Sequence, residues 1–189
     1  MSVWVFRSGF SNSFSAMTFV DIEDMDLCII NGKELHWGKV IQFEPIIEKK
    51  KKNQQPFGDI NGVMPASVIL NPKAYHALKD FLSPFGQLLP VECFNRAGLL
   101  GTEVDSETHY FYNVTNIIPC IDYQHSEKKI GTSVSKPVFF ADKIPQDIQV
   151  FKDPYRVRAD IYLSEAAKLL LEKLIAEAGL SGAEIIPAC

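Results

Sequence analysis

The segment THYFYNVTNIIPCIDYQ, residues 108–124, carries the clearest strand signal in the chain and decides its predicted fold class. Residues 108–114 are rich in β-branched and aromatic side chains, a composition that is typical of strands. Strand alternation places Tyr110 and Tyr112 on one face, and His109, Phe111 and Asn113 on the other. We therefore predict a strand over 108–114, followed by a turn and a second extended segment at 116–124.

Shorter extended segments are found before and after this strand. They are VWVF (3–6), QLLPVECF (87–94), KPVFFADKIP (136–145), DIQVFKD (147–153), RADIYLS (158–164) and AEIIPAC (183–189). Pro90 has no amide hydrogen, so it predicts an edge or irregular position within its strand. The dipeptide Asn31-Gly32 is typical of two-residue hairpin turns. Because apolar alternation resumes after it, we predict a hairpin with long arms over residues 26–47.

Two segments, 71–83 and 164–182, predict helices. Each begins with a side chain that can accept a hydrogen bond from an unpaired amide of the first turn, Asn71 in one and Ser164 in the other. Gly179 is suited to the left-handed position that ends a helix. Strands outnumber helices and the two do not alternate regularly, so their order favours an α+β fold over a doubly wound parallel sheet.

The chain is predicted to form one α+β domain, residues 1–189, with an antiparallel or mixed sheet and two principal helices. Its 189 residues include 47% hydrophobic side chains, enough to bury a substantial core. Residues 1–55 are β-rich. The segment EKKKKNQQPFGDING (48–62) has the composition of a solvated loop and is the one plausible internal boundary.

The composition narrows the class of partner and the location. A net charge of −4 argues against binding of the whole chain to nucleic acid. No apolar stretch approaches the ~20 residues of a membrane helix, and the first residues lack the apolar core of a signal peptide. The four cysteines are widely spaced and include no CxxC motif, as in a reducing compartment. We therefore expect a cytoplasmic protein without membrane contact, and the sequence does not indicate its oligomeric state.

The proximity of Cys120, Asp122 and His125 raises the question of a catalytic or metal site. A cysteine nucleophile requires a thiolate activated by a nearby imidazole. His125 would lie beyond the end of the strand, and no CxxC or HxxxH motif supplies further metal ligands. We favour an interpretation in which Asp122 caps a turn. Glycine-rich nucleotide motifs and GxSxG are also absent, so no catalytic residue, cofactor or metal is expected.

Two acidic clusters are the candidate partner-binding residues. The first contains Asp21, Glu23, Asp24 and Asp26, and the second contains Glu103, Asp105 and Glu107. The first cluster lacks the glycine and the final glutamate of a calcium-binding loop. One interpretation is a solvated turn that precedes a strand. The other is an acidic patch that meets a basic partner.

The order of several segments resembles a known family. The segments are INGVMPASVILNPKAYHALKDFL (60–82), LLPVE (88–92), HYFYNVTNIIPCIDYQHS (109–126) and FKDPYRVRADIYLSEAAKLLLEKLIAEAGLSG (151–182). Across residues 60–182, the chain resembles the bacterial polymorphic-toxin immunity proteins of family eleven, formerly catalogued as a domain of unknown function. The positions that match the family motif are structural: Tyr110, Tyr112, Asn113, Val114, Ile121 and Asp122.

The resemblance implies an α+β protein without catalytic residues that binds a cognate secreted toxin domain and silences it. An acidic inhibitor would suit a toxin whose basic surface binds phosphates. Exposed aromatics such as Trp4 or Trp37 would be natural anchors, although Trp37 also fits the core face of its strand pattern. Two alternatives stay open. One is a small hydrolase or transferase that uses His109, Cys120 and Asp122, and the other is an adaptor module.

Overall fold

The computed structural model describes residues 2–9, 16–46, 57–63, 67–94, 106–128 and 134–189. The predicted loop at 48–62 lies mostly outside these ranges. The described strands are β1 (Trp4–Ser8), β2 (Met17–Phe19), β3 (Gln42–Pro45), β4 (Ile60–Val63), β5 (Ser67–Leu70), β6 (Gly86–Phe94), β7 (Ser106–Val114), β8 (Glu127–Lys128), β9 (Val134–Lys136), β10 (Val150–Phe151), β11 (Ile161–Leu163) and β12 (Ala183–Pro187). The described helices are α1 (Asp24–Leu27), α2 (Pro72–Leu82) and α3 (Glu165–Ala178). This combination of sheets and helices confirms the predicted α+β class.

Six strands close into a barrel in the order β2, β3, β6, β7, β5 and β4. Most neighbours are antiparallel, but β2 pairs with β4, and β3 with β6, in parallel. All six strands contribute buried side chains to one cluster, which includes Phe43 and Phe111. Because alternate residues of each strand point to the same face, this cluster fills the inside of the barrel.

A four-stranded antiparallel sheet, in the order β10, β11, β1 and β12, lies beside the barrel. One face of this sheet contributes Phe6 and Leu163 to a second core cluster, together with Leu78 of α2 and Leu171 of α3. The opposite face packs against the segment around Cys120. Helices α2 and α3 therefore share one core with the sheet and with the outer face of the barrel.

The barrel and the sheet meet at a close backbone contact between Gly58 and Gly182. The amide of Ile60 donates to the carbonyl oxygen of Ser181 at 3.1 Å. The carboxylate of Asp59 accepts from both the amide and the hydroxyl of Ser181, each at 2.8 Å. A Cβ built on Gly182 would lie 2.2 Å from the carbonyl oxygen of Ile60, so only glycine fits this contact.

The predicted long strand and both long helices are confirmed. The side chain of Asn71 accepts from the amide of Ala74 at 2.8 Å and caps α2. The side chain of Ser164 accepts from the amide of Ala167 at 3.2 Å and caps α3. Gly179 follows α3 with φ 56° and ψ 48°, the predicted left-handed end. Within the described part of the chain, no helix is long and apolar enough to cross a membrane.

The predicted hairpin over residues 26–47 is wrong, although its turn is present. Gly32 has φ 78°, and the side chain of Asn31 accepts from the amide of Lys33 at 3.0 Å. The first arm instead contains the short helix α1, and only β3 of the second arm is a strand. Gln87 bonds both the amide and the carbonyl oxygen of Leu35 with its side chain. Side-chain hydrogen bonds thus replace the ladder that the apolar alternation predicted.

Two further extended segments are shorter than predicted. Within 116–124, Ile117 and Ile121 form single bridges and no strand. Within 136–145, strand pairing is limited to Lys136, the last residue of β9, and to Phe139, which forms a single bridge. Pro90 lies in β6, which pairs with β7 over its full length and with β3 only at Glu92 and Cys93. The open edge beside Pro90 fits its missing amide hydrogen.

We expect Asn71→Ala to lower the free energy of unfolding by about 1–2 kcal/mol, because both ends of the side chain are bonded. Besides capping α2, its amide nitrogen donates to the carboxylate of Asp59 at 2.9 Å. Urea unfolding of both proteins measures the difference. Asp80→Ala, at an exposed position of the same helix, is the control and should change stability by less than about 0.5 kcal/mol. Equal losses in the two variants would contradict the capping role.

Candidate partner-binding surface

The four acids of the first cluster do not share one environment. Asp21, Glu23 and Asp26 are exposed. Asp24 is only 3% exposed, and its carboxylate forms an ion pair with Lys39. The hydrogen bond with Asp24 raises the pKa of Lys39 above its ordinary value. Asp24 therefore joins two chain segments, whereas its three acidic neighbours are exposed to solvent.

The second acidic cluster is only partly within the structure. Glu103 and Asp105 lie outside the described residues. Glu107 is exposed near the start of β7. Glu107 is therefore the one residue of the second cluster whose position the structure describes.

Exposed apolar side chains are interleaved with the acids of the first cluster. They are Val20, Ile22, Met25, Leu27 and, from a neighbouring segment, Val40. Ile22 is 69% exposed and Val40 is 59% exposed. Single exposed apolar residues are ordinary, but a contiguous group rimmed by charges is typical of an interaction site. We call the exposed side chains of residues 20–27, together with Val40, the 20–27 surface.

Local hydrogen bonds hold the 20–27 surface in place. The side chain of Asp21 accepts from the amide of Glu23 at 3.0 Å, which favours the tight turn into α1. The indole nitrogen of Trp37 donates to the carbonyl oxygen of Leu27 at 3.3 Å. With the ion pair of Asp24, this bond fixes the surface to the segment that carries Trp37.

An open groove of about 400 Å³ adjoins the 20–27 surface. Its walls come from residues 35–40, from β6 and from the start of β7, and they include Trp37, Leu89, Pro90, Glu92 and Thr108. The ring of Trp37 is half-buried, and its centroid lies 5.8 Å from that of Phe111 in the barrel core. We call this feature the Trp37 groove. Lys39 lines the groove and also pairs with Asp24, so the groove and the 20–27 surface are continuous.

Trp4 has a structural role instead. Its indole nitrogen donates to the carboxylate of Glu165 at 2.8 Å. The ammonium of Lys168 lies 4.7 Å from the centroid of its ring. Both contacts attach β1 to α3. Of the two tryptophans considered as anchors, Trp37 is the one that lines an open groove.

Cys120, Asp122 and His125 form a capped turn. The carboxylate of Asp122 accepts from the amides of Gln124 at 3.0 Å and His125 at 3.2 Å. The ring of His125 lies 2.6 Å from the same carboxylate, and this hydrogen bond lowers the pKa of Asp122. Cys120 is fully buried in the core behind the four-stranded sheet. This geometry matches the turn-capping interpretation of Asp122.

The three residues of the alternative catalytic set lie in different environments; they are His109, Cys120 and Asp122. His109 is buried on β7, and its Nδ1 contacts the carbonyl oxygen of Glu107 at 3.1 Å. Burial lowers the pKa of His109 and raises that of the Cys120 thiol to about 12. A thiol with that pKa is protonated at neutral pH and is a poor nucleophile. Among the residues that the structure describes, no group of three or more His, Cys, Asp or Glu side chains is arranged to hold a metal.

The sequence was compared with known protein families and with curated proteins. No family model matches it, and no curated protein matches it significantly.

Sequence reasoning identified the acids but not the apolar residues between them. The signal was present in the segment VDIEDMDL (20–27), where apolar and acidic residues are interleaved. A helix of four residues is too short to bury one complete face, so its apolar side chains stay exposed. The Trp37 groove gave no local signal, because its walls come from three separate parts of the chain.

Proposed function

We propose that this protein is an immunity protein that binds and neutralises a cognate secreted bacterial toxin acting in the cytosol. The observation that carries the proposal is the 20–27 surface, in which exposed apolar side chains and carboxylates are interleaved and which joins, through Lys39 and Val40, the groove lined by Trp37. Apolar anchors with a charged rim are the usual composition of a protein interface. The resemblance of segments within residues 60–182 to the immunity family supports a toxin domain as the partner.

The charge of the surface indicates the kind of toxin. Asp21, Glu23 and Asp26 give it an exposed negative charge, while Lys39 is neutralised by Asp24. Toxins that act on nucleic acids or nucleotides present basic surfaces to phosphate groups. Carboxylates at a rim attract such a surface and accelerate association, and salt weakens the effect. A basic toxin domain is therefore the partner that this surface favours.

Coexpression tests the function directly. We expect a neighbouring gene to encode the toxin domain, which should arrest growth when it is expressed alone, and this protein should restore growth. The purified pair should form a stable complex in size-exclusion chromatography. If the neighbouring toxin domain kills cells whether or not this protein is present, the proposed function is wrong.

Neutralising the rim acids tests the proposed surface. We expect the triple variant Asp21→Asn, Glu23→Gln, Asp26→Asn to bind the toxin about tenfold more weakly at low salt, because each rim charge contributes roughly 0.5 kcal/mol. Its affinity should also depend less on salt than that of the wild type. Calorimetric titration at two salt concentrations measures both effects.

A matched control separates the surface from the net charge. The variant Asp142→Asn, Glu172→Gln, Glu177→Gln removes the same number of negative charges from exposed positions outside the 20–27 surface. We expect its affinity to equal that of the wild type within about twofold. Equal weakening in the two triple variants would contradict the role of the 20–27 surface.

A further inference from the structure

We propose that the Trp37 groove is a binding site for an arginine side chain of the partner. The proposal deepens the proposed function, since the arginine would come from the basic face of the toxin. It names the chemistry of the contact, which is a planar guanidinium on an apolar stem. The site can also be tested without any toxin.

The walls of the groove suit the stem of a long side chain. Leu35, Leu89, Pro90 and Val91 line it, together with the ring of Trp37. A volume of about 400 Å³ lies at the small end of the range for ligand pockets and leaves room for one long side chain. The methylene groups of arginine and lysine commonly lie along apolar walls of this kind.

The charged groups of the groove favour a cation. Glu92 lines the groove and is only half-exposed, and one of its oxygens accepts from the side chain of Gln42 at 2.8 Å. Within the described residues, no lysine, arginine or histidine forms an ion pair with Glu92. Lys39, the cation at the rim, is already neutralised by Asp24. A partly buried carboxylate beside apolar walls attracts a positive charge more strongly than an exposed one.

Trp37 selects a planar cation. A guanidinium stacks on an indole face and can donate two parallel hydrogen bonds to a carboxylate, which a lysine ammonium cannot do. Trp37 and Glu92 lie in the same groove and supply both elements. The exposed acids of the adjoining 20–27 surface add to the attraction. An apolar occupant would bury the carboxylate without a positive charge beside it, which costs free energy.

A capped tripeptide, acetyl-Gly-Arg-Gly-amide, is the probe. The chain has two tryptophans, so its two indole amides are resolved reporters in an NMR titration. We expect the peptide to shift the Trp37 signal and to saturate it with a dissociation constant on the order of millimolar, typical of a single side chain. The Trp4 signal, which belongs to a residue packed against α3, should not move. The variant Trp4→Phe assigns the two signals.

Three comparisons decide the result. The citrulline peptide has nearly the same shape without the charge, and the norleucine peptide is apolar; both should bind at least tenfold more weakly. Glu92→Gln should weaken the arginine peptide about tenfold, and Glu177→Gln on α3 should not. Equal binding of the citrulline or norleucine peptide, or equal shifts of both indoles, would overturn the proposal. The peptide series uses the wild-type protein and therefore does not depend on whether a variant folds.

The peptide and coexpression experiments fail independently. If arginine binds the Trp37 groove but growth is not restored, the site is real and its partner is not the neighbouring toxin. If growth is restored but no arginine peptide binds, the protein is an immunity protein and the arginine site is wrong.

Discussion

Replacing Gly182 with alanine is expected to lower the free energy of unfolding by about 3 kcal/mol or more. Its φ of 85° is a conformation that disfavours side chains, which costs about 1 kcal/mol. The added Cβ would also lie 2.2 Å from the carbonyl oxygen of Ile60 and 3.1 Å from the Cα of Gly58. These are backbone atoms, so relief requires the barrel and the four-stranded sheet to separate. Overpacking of this kind costs roughly 1–3 kcal/mol. Urea unfolding measures the total.

Two other glycines distinguish the cost of the positive φ from the cost of the steric clash. Gly179 also has a positive φ, of 56°, but a Cβ there has no heavy atom within 4 Å. Gly179→Ala should therefore cost only about 1 kcal/mol. Gly38→Ala adds a methyl group in open space without a positive φ and should change stability by less than about 0.5 kcal/mol. If Gly182→Ala costs no more than Gly179→Ala, the close contact with Ile60 is not tight in solution.

The contribution of Lys152 to the stability of the protein is expected to rise between pH 7.5 and pH 9. This side chain is fully buried, and its ammonium donates to the carbonyl oxygen of Ala159 at 2.9 Å. Burial lowers its pKa to about 7, against 10.5 for an exposed lysine, and nearby Asp160 opposes the shift. Between these values the unfolded chain binds a proton that the folded protein does not, so unfolding becomes less favourable as pH increases. The contribution is about 2 kcal/mol over this window.

The variant Lys152→Met isolates this effect. Methionine keeps much of the length and volume but cannot be protonated, so the difference in unfolding free energy between the two proteins should change by about 2 kcal/mol from pH 7.5 to pH 9. The lost bond to Ala159 shifts the difference by a constant and does not alter its slope. From about pH 8.5 upward, the thiols of Cys28, Cys93 and Cys120 act in the opposite direction, because burial raises their pKa to about 12. This effect is the same in both proteins and cancels in the difference. A difference that is flat across this window would show that Lys152 is charged in the folded protein.

The features that the sequence predicted correctly are those set by neighbouring residues. Asn71 and Ser164 cap their helices, and Gly179 ends the second one, because these effects act within a single turn. Alternation in 108–114 likewise assigned Tyr112 and Phe111 to opposite faces, and they belong to different core clusters. Local chemistry was sufficient for both kinds of prediction.

The closure of the barrel could not be predicted from neighbouring residues. Its parallel pairs join Met17 with Val63 and Phe43 with Cys93, and alternation says which face a residue occupies but not which strand lies beside it. The failed hairpin has a related cause. Cys28 and Ile30 are apolar because they pack against the barrel core from a segment that is not a strand. The sequence pattern does not distinguish a buried irregular segment from a paired strand, because both contain the same kinds of apolar residue.

The candidate surface was predictable in part. Asp21, Glu23 and Asp26 are exposed as charge alone suggests, since isolated carboxylates are rarely buried. The exception, Asp24, depends on Lys39, which comes fifteen residues later in the chain and meets it only in the folded state. Trp37 and Glu92 likewise line the same groove although they are far apart in the chain, and no local pattern predicts this.

Strand β1 lies between β11 and β12, so residues 4–8 find their strand partners only in residues 161–163 and 183–187. During synthesis on the ribosome, residues 4–8 therefore lack these partners until the chain has emerged past residue 161. Loop closure over such a separation slows folding and prolongs the exposure of an apolar edge. A cell that depends on this protein should need chaperones to hold the nascent chain during that interval.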